Sequence, residues 1–254
     1  MDLGLAEKVA LVTGASRGIG AAIAAGLAAE GCRVALVARG EEGLEAQAVR
    51  LRAMGADVLP IAADLTEPDA AAKVVADTED VFGQLDVLVN NLGGGKSGED
   101  DEAWAFTLDV NLLAAMRCCR AAIPGMKERR RGAIVIVSSI SGWMVGGSPP
   151  SYNVAKAAEI MYARTLARDL APFGIRANTV SPGSILFEGG GWARRRDSHP
   201  EEIANFVERD MPSGRFGTPE EIADVTVFLC SDRARWISGA DIHVDGCQLK
   251  PSVG

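Results

Sequence analysis

The chain has 254 residues, 48% of them apolar, a net charge of −8, five cysteines and two histidines. That length suits one α/β domain with a substantial core. The acidic balance argues against nucleic-acid binding, and two histidines, His199 and His243, argue against a histidine-built metal site or a Ser-His-Asp triad, so no metal is expected. The cysteines include no Cys-x-x-Cys pair, and reduced thiols in a cytoplasm are the default. The N-terminus carries Asp2 and Glu7 and no basic, apolar signal segment, which points to a cytoplasmic location. Residues 132–155 carry no charge, but their serines and Pro149-Pro150 exclude a membrane helix.

Taken in chain order, residues 8–13 (Lys-Val-Ala-Leu-Val-Thr) read as a short buried strand. The glycine turn Gly14-Ala15-Ser16-Arg17-Gly18-Ile19-Gly20 follows at once, and an alanine-rich helix spans 21–31. Strand, glycine turn and helix in this order cradle a dinucleotide: glycines let backbone N–H groups approach a pyrophosphate, and the helix N-terminus adds favourable partial charge. Further strand-like apolar runs fall at 33–38, 58–62, 87–90, 133–138, 175–180 and 242–244. Helical stretches lie between them, the longest ending near Arg131 and Phe173. Short apolar strands alternating with helices predict a doubly wound α/β domain, about seven parallel strands with helices on both faces. Gly14, Asp64, Asn90, Ser139 and Pro182 all fall at the carboxyl ends of expected strands, where such sheets bind ligands. No domain boundary is visible in 1–254. Residues 184–211 read as an irregular, glycine-rich insertion.

Tyr152 and Lys156 are four residues apart, so on a helix they share a face. A free phenol ionises near pH ~10 and is a sluggish proton donor at neutrality, while a neighbouring ammonium favours the phenolate. Such a tyrosine can exchange a proton with a carbonyl or alcohol oxygen. Ser139 lies thirteen residues upstream of Tyr152.

These residues give the chain a resemblance to the short-chain dehydrogenases/reductases, and within them to the 3-oxoacyl-(acyl-carrier-protein) reductases. The resemblance runs over residues 8–245. It rests on Thr13-Gly14-x3-Gly18-x-Gly20, Asp64-Leu65, Asn90-Asn91-Leu92-Gly93, Asn111, Ser139, Tyr152-x3-Lys156 and Ser181-Pro182-Gly183, in family order and spacing. It implies one Rossmann domain and a catalytic set of Ser139, Tyr152, Lys156 and Asn111. Tyr152 donates the proton, Lys156 lowers its pKa and holds the nicotinamide ribose, Ser139 binds the carbonyl oxygen, and Asn111 holds a water that links Lys156 to solvent. Implied cofactor contacts are Gly14, Ser16, Arg17, Gly18, Ile19, Gly20, Arg39, Asp64, Leu65, Asn90, Gly93, Tyr152, Lys156, Pro182, Gly183 and Ile185. Asp64 either meets the adenine amine, as the resemblance implies, or caps the next segment. The second strand ends Val37-Ala38-Arg39-Gly40, without the acid that binds a ribose hydroxyl. Arg39 and Arg17 can instead clamp a 2′-phosphate, so NADP(H) is the expected cofactor.

The chain departs from the family pattern at Leu92, where alanine is usual, at Ile136, where asparagine is common, and in a longer substrate lid at about 184–211. Phe187, Trp192 and Trp143-Met144-Val145 either line an apolar substrate pocket or serve packing and subunit contacts. The basic runs Arg194–Arg196 and Lys127–Arg131 are either docks for coenzyme A or an acyl-carrier protein, or ordinary solvated and helix-terminal charge. The expected substrate is a small carbonyl or alcohol with an apolar body, a 3-oxoacyl thioester among the candidates. A homotetramer is implied, through the helices near 112–131 and 151–173. An NADP-linked alcohol dehydrogenase working oxidatively and a non-catalytic NADP-binding sensor are the other readings. A sensor typically loses the tyrosine or lysine, and both are kept here.

Overall fold

A computed structural model gives the fold and describes residues 1–145 and 147–249. Of the expected span 1–254, residues 146 and 250–254 lie outside the described residues. Seven strands form one sheet: β1 (Val9–Thr13), β2 (Arg33–Ala38), β3 (Val58–Ala62), β4 (Val87–Asn90), β5 (Gly132–Val137), β6 (Ile175–Pro182) and β7 (Asp241–Val244). The order is β3-β2-β1-β4-β5-β6-β7, with every neighbouring pair parallel. The chain leaves β1 in one direction for β2 and β3 and returns to its other side at β4. The crevice between β1 and β4 is therefore the switch point, where such sheets bind ligands.

The helices are α1 (Gly18–Ala29), α2 (Glu41–Ala53), α3 (Ala70–Phe82), α4 (Asp101–Leu108), α5 (Ala114–Arg129), α6 (Pro150–Leu170), α7 (Gly191–Ser198), α8 (Pro200–Asp210) and α9 (Pro219–Cys230). Alternation along the strands divides them between two faces. Ala10 and Val12 of β1 join one core with Ile23 and Leu27 of α1, Leu44 of α2 and Ile222 of α9. Val9 and Leu11 join the other with Val74 of α3, Cys118 of α5 and Leu166 of α6. Strands covered on both sides are apolar over most of their length, which is why Val9–Val12, Val34–Ala38 and Val87–Val89 read as unbroken runs.

Two expectations are corrected. The glycine turn ends earlier than expected, because α1 begins at Gly18 and not at residue 21. Residues 184–211 are mostly helical, in α7 and α8. Pro200 opens α8 without losing a hydrogen bond, Glu201 and Glu202 sit in its first turn, and Ile203 is buried. The segment is joined to the rest by a short parallel bridge, Ile185 to Gly217, with Gly217 N donating to Ser184 O at 3.0 Å and Leu186 N to Gly217 O at 2.9 Å.

Candidate active site

The glycine turn is held by its own backbone demands. Gly14 has φ +64°, and a Cβ on Gly20 would lie 2.3 Å from Gly14 O and 2.4 Å from Asn91 Nδ2. Asn91 explains the second clash: its amide donates to Thr13 O at 3.1 Å and to Gly14 O at 3.3 Å. The Thr13 hydroxyl in turn accepts from Asn91 N at 2.9 Å and Leu92 N at 3.0 Å. So β1 and β4 are laced together at the mouth of the crevice. The start of α1 has no side-chain cap and no acidic residue in its first turn. Its free N–H groups and helix dipole suit a pyrophosphate, which Gly14, Ser16, Gly18, Ile19 and Gly20 can approach closely through backbone.

Around this turn the other expected cofactor residues fall as follows. Arg39, at the end of β2, pairs with Asp64 at 3.8 Å and is largely exposed. Asp64 Oδ1 accepts from both the Thr66 amide (3.0 Å) and hydroxyl (2.7 Å), bonds that hold its carboxyl below the usual range, while one oxygen still faces Arg39. It therefore shapes the next turn. The Leu65 side chain is buried in the core, so what it can offer a nucleotide is backbone. Asn90 is buried, donates to Cys119 Sγ at 3.3 Å, and leaves its Oδ1 without a partner. Arg17 reaches across to Gly189 O at 3.0 Å, and the Phe187 ring lies 2.7 Å from where a Gly18 Cβ would stand. The segment after β6 is thus folded over the glycine turn. Pro182 ends β6, Gly183 N donates to Val244 O at 3.1 Å, and Ile185 is buried.

The chemistry-bearing residues gather where β4 and β5 end against α6. Ser138 Oγ donates to Lys156 O at 2.9 Å, and Lys156 Nζ to Val137 O at 3.3 Å, so two bonds pin the end of β5 to α6. Ser139 follows directly, its hydroxyl accepting from Ser141 N at 3.1 Å. Tyr152 stands one turn before Lys156, whose Nζ lies 5.6 Å from the phenol ring centroid. Asn111 sits in a single π-helical turn, Asp109–Leu113, between α4 and α5; such widened turns are common at functional sites. Its amide donates to Gly94 O at 2.6 Å and Thr107 O at 2.7 Å. Asn111 Oδ1 and Lys156 Nζ lie 3.0 Å and 3.3 Å from the point where a Gly93 Cβ would be, so a side chain there would crowd both.

Three residues of this site have roles that a reading of motifs does not give. The first, Asn91, stands inside the Asn90-Asn91-Leu92-Gly93 motif, but its bonds to Thr13 O and Gly14 O show only in the fold. The second is Glu159, nearly fully buried on α6, with both carboxylate oxygens 3.1 Å from Lys156 Nζ. The third is Asp241, whose carboxylate accepts from Thr179 (2.7 Å), Ser181 (2.8 Å) and Trp143 Nε1 (2.6 Å). It thereby staples the loop after Ser139 to the β6–β7 edge. The aromatic residues divide accordingly. Trp192 stacks on Phe206 at 4.7 Å, inside the 184–211 segment, and tilts against Phe216 at 5.3 Å, just beyond it, so its ring serves packing. Trp143 is half-exposed. The basic runs have local partners: Arg195 pairs with Glu202, Arg196 with Asp197, Arg129 with Glu79, and Arg131 with Asp86.

A Gly-rich strand-to-helix turn at the switch point of a parallel sheet defines a dinucleotide-binding domain. Its relatives agree. A family model described as enoyl-(acyl carrier protein) reductase matches residues 14–247. The chain is 36% identical over 244 residues to the 3-oxoacyl-(acyl-carrier-protein) reductase FabG of Staphylococcus aureus, covering 94% of this chain and 97% of that protein. The Escherichia coli FabG is 36% identical over 243 residues, covering 94% and 96%. Among solved structures, L-sorbose reductase from Gluconobacter frateurii, complexed with NADPH and L-sorbose, superposes with a TM-score of 0.93 at 38% identity, covering 99% of this chain and 100% of that one. The chain belongs to the short-chain dehydrogenase/reductase family, and it is an oxidoreductase acting on C=O and CH–OH groups.

Proposed function

We propose that this chain is an NADP(H)-dependent carbonyl reductase, in which Ser139, Tyr152, Lys156 and Asn111 form the catalytic set. The bound cofactor supplies hydride to the carbonyl carbon. Tyr152 gives its proton to the carbonyl oxygen, and Ser139 hydrogen-bonds that oxygen as charge develops on it. Lys156 supplies a positive charge beside the phenol and a donor for the nicotinamide ribose, and Asn111 orders the turn that carries Gly93 and Gly94 past the ammonium. The observation that carries the reading is the burial of the Lys156 ammonium 5.6 Å from the Tyr152 ring, at the carboxyl end of β5 beside the dinucleotide crevice.

The preference for NADP(H) rests on Arg17 and Arg39 flanking the adenosine end and on the absence of an acid at residue 38. The NADPH in the Gluconobacter relative supports it. Arg39→Glu is expected to weaken NADPH binding by about tenfold or more while leaving NADH binding little changed, since a charged hydrogen bond contributes about 1.5–3 kcal/mol. Titration of both nucleotides by fluorescence checks this, and an unchanged ratio of affinities counts against the clamp.

Residues 184–211 act as a substrate lid in this reading. Phe187 and Arg17 fasten it over the glycine turn, and Gly189, Gly190 and Gly191 supply the hinge. The relatives set the substrate panel, a ketose on one side and 3-oxoacyl thioesters on the other. NADPH consumption by wild-type protein and by Tyr152→Phe against both classes tests the function. Tyr152-dependent turnover of either supports it, and NADPH binding without turnover on any ketone favours the sensor reading. We also place the chain in the cytoplasm as a homotetramer. Leu113 and, on α6, Val154 and Met161 are exposed large apolar side chains on the faces that would meet another copy. No helix of the described residues is long and apolar enough to cross a membrane.

A further inference from the structure

α6 buries one stripe: Ala155, Lys156, Glu159, Ile160, Ala163, Leu166, Ala167 and Leu170. From Ala155 onward all are apolar except one ion pair, Lys156 with Glu159; the one further buried polar residue of the helix is Ser151 in its first turn. Two buried charges cost more to desolvate than their attraction returns unless their geometry is very good, so a carboxylate at an otherwise apolar position asks for a reason.

The geometry supplies one. An ammonium has three N–H donors and a neutral amine has two. Lys156 Nζ has three acceptors in reach: Glu159 Oε1 and Oε2, each at 3.1 Å, and Val137 O at 3.3 Å. The side chains are 3% and 1% exposed, so no solvent shares the work. Burial opposes the charge on Lys156, and the Glu159 carboxylate and then the Tyr152 phenol offset it, so the lysine pKa stands above its usual value. Burial likewise pushes the Glu159 carboxyl up, opposed by the Lys156 ammonium. Among the described residues, the titratable group that faces the pair besides its own two members is the Tyr152 phenol. From β5 the neighbours are Val137 O and the Ser138 hydroxyl, and from the segment after β4 they are Gly93 and, beyond it, Asn111.

We propose that Glu159 is a positioning residue of the reaction, whose buried carboxylate keeps the Lys156 side chain charged and fixed beside Tyr152 before cofactor and carbonyl arrive. The proposal rests on the functional reading above. Without the carboxylate, an ammonium in this place has only Val137 O and the phenol to hold it, and burial favours the neutral amine. The neutral amine no longer supports the phenol electrostatically.

The test uses Glu159→Gln, which keeps shape and removes charge, with Glu159→Leu as an apolar filler for the same stripe should the glutamine variant fold poorly. Side-chain NMR of isotope-labelled lysine, with Lys156 assigned by its loss in Lys156→Arg, follows the ammonium directly and needs no turnover. Removal of the carboxylate is expected to lower the pH at which Lys156 loses its proton by about one unit or more, a tenfold or greater change in that equilibrium. In parallel, kcat for ketone reduction by the variant is expected to fall further behind wild type as pH rises, while Glu159→Asp restores part of it. Identical lysine titrations in wild type and variant, or a kcat ratio that stays flat with pH while only thermal stability drops, overturn the proposal. A shifted lysine titration without any Tyr152-dependent turnover overturns the functional reading instead.

Discussion

Tyr152→Phe is expected to lower ketone turnover by about 10²- to 10⁴-fold, the range that one positioned general acid contributes. NADPH binding is expected to change little. The substitution removes one hydroxyl from the third residue of α6 and leaves the ring, which packs near Gly95 and the Lys156 ammonium. The pyrophosphate site proposed for the cofactor lies elsewhere, at the glycine turn and the uncapped start of α1. Steady-state kinetics with a nucleotide titration separates the two effects. An equal loss of binding and turnover would mean that Tyr152 supports the cofactor and not the proton transfer.

The second large effect is on stability. Lys156→Met leaves the Glu159 carboxylate buried with no cation beside it, and breaking a buried pair from one side costs about 3–5 kcal/mol. The double variant Lys156→Met with Glu159→Leu is expected to recover most of that, because the stripe then becomes apolar from Ala155 to Leu170. The pH dependence has a definite sign. Burial raises the folded-state pKa of Glu159 above its unfolded value, so folded protein binds the extra proton. The single variant is then least destabilised at low pH and loses stability as pH rises through and beyond the ordinary glutamate range, near ~4.3. Urea denaturation at several pH values measures this. A single variant as stable as the double at neutral pH would mean that the pair makes no net demand on the fold.

Most of the fold was legible because its strands obey one simple constraint. Covered on both faces, β1, β2 and β4 are apolar at all but one terminal position each, and the runs at 9–13, 33–38 and 87–90 coincide with them. The glycine turn was equally plain, since Gly20 admits no side chain against Gly14 O. The helices α7 and α8 were not. α7 opens on glycines and runs into Arg194-Arg195-Arg196, so it offers no apolar stripe, and its one large aromatic, Trp192, packs on Phe206 and Phe216 of its own neighbourhood. Its helicity comes from contacts that no local pattern encodes. The site divides in the same way. The spacing of Tyr152 and Lys156 is common by chance and gains meaning only beside the glycine turn, Asn111 and Ser139 in the same chain. Glu159, by contrast, reads as one more helix-surface acid until the stripe on either side of it is seen to be buried, and that stripe was the available signal. Asp241 gave none: it meets Trp143 from 98 residues away, a contact that exists only once β7 lies beside β6.

The most direct measurement is the fate of the hydride. NADPH carrying deuterium at the transferable position of the nicotinamide is incubated with the protein and a ketone from the panel, and the product is analysed by mass spectrometry. The account predicts an alcohol with a single deuterium on the carbinol carbon, formed by wild type and lost with Tyr152→Phe. Unlabelled alcohol, or labelled alcohol formed equally well without the Tyr152 hydroxyl, would contradict it.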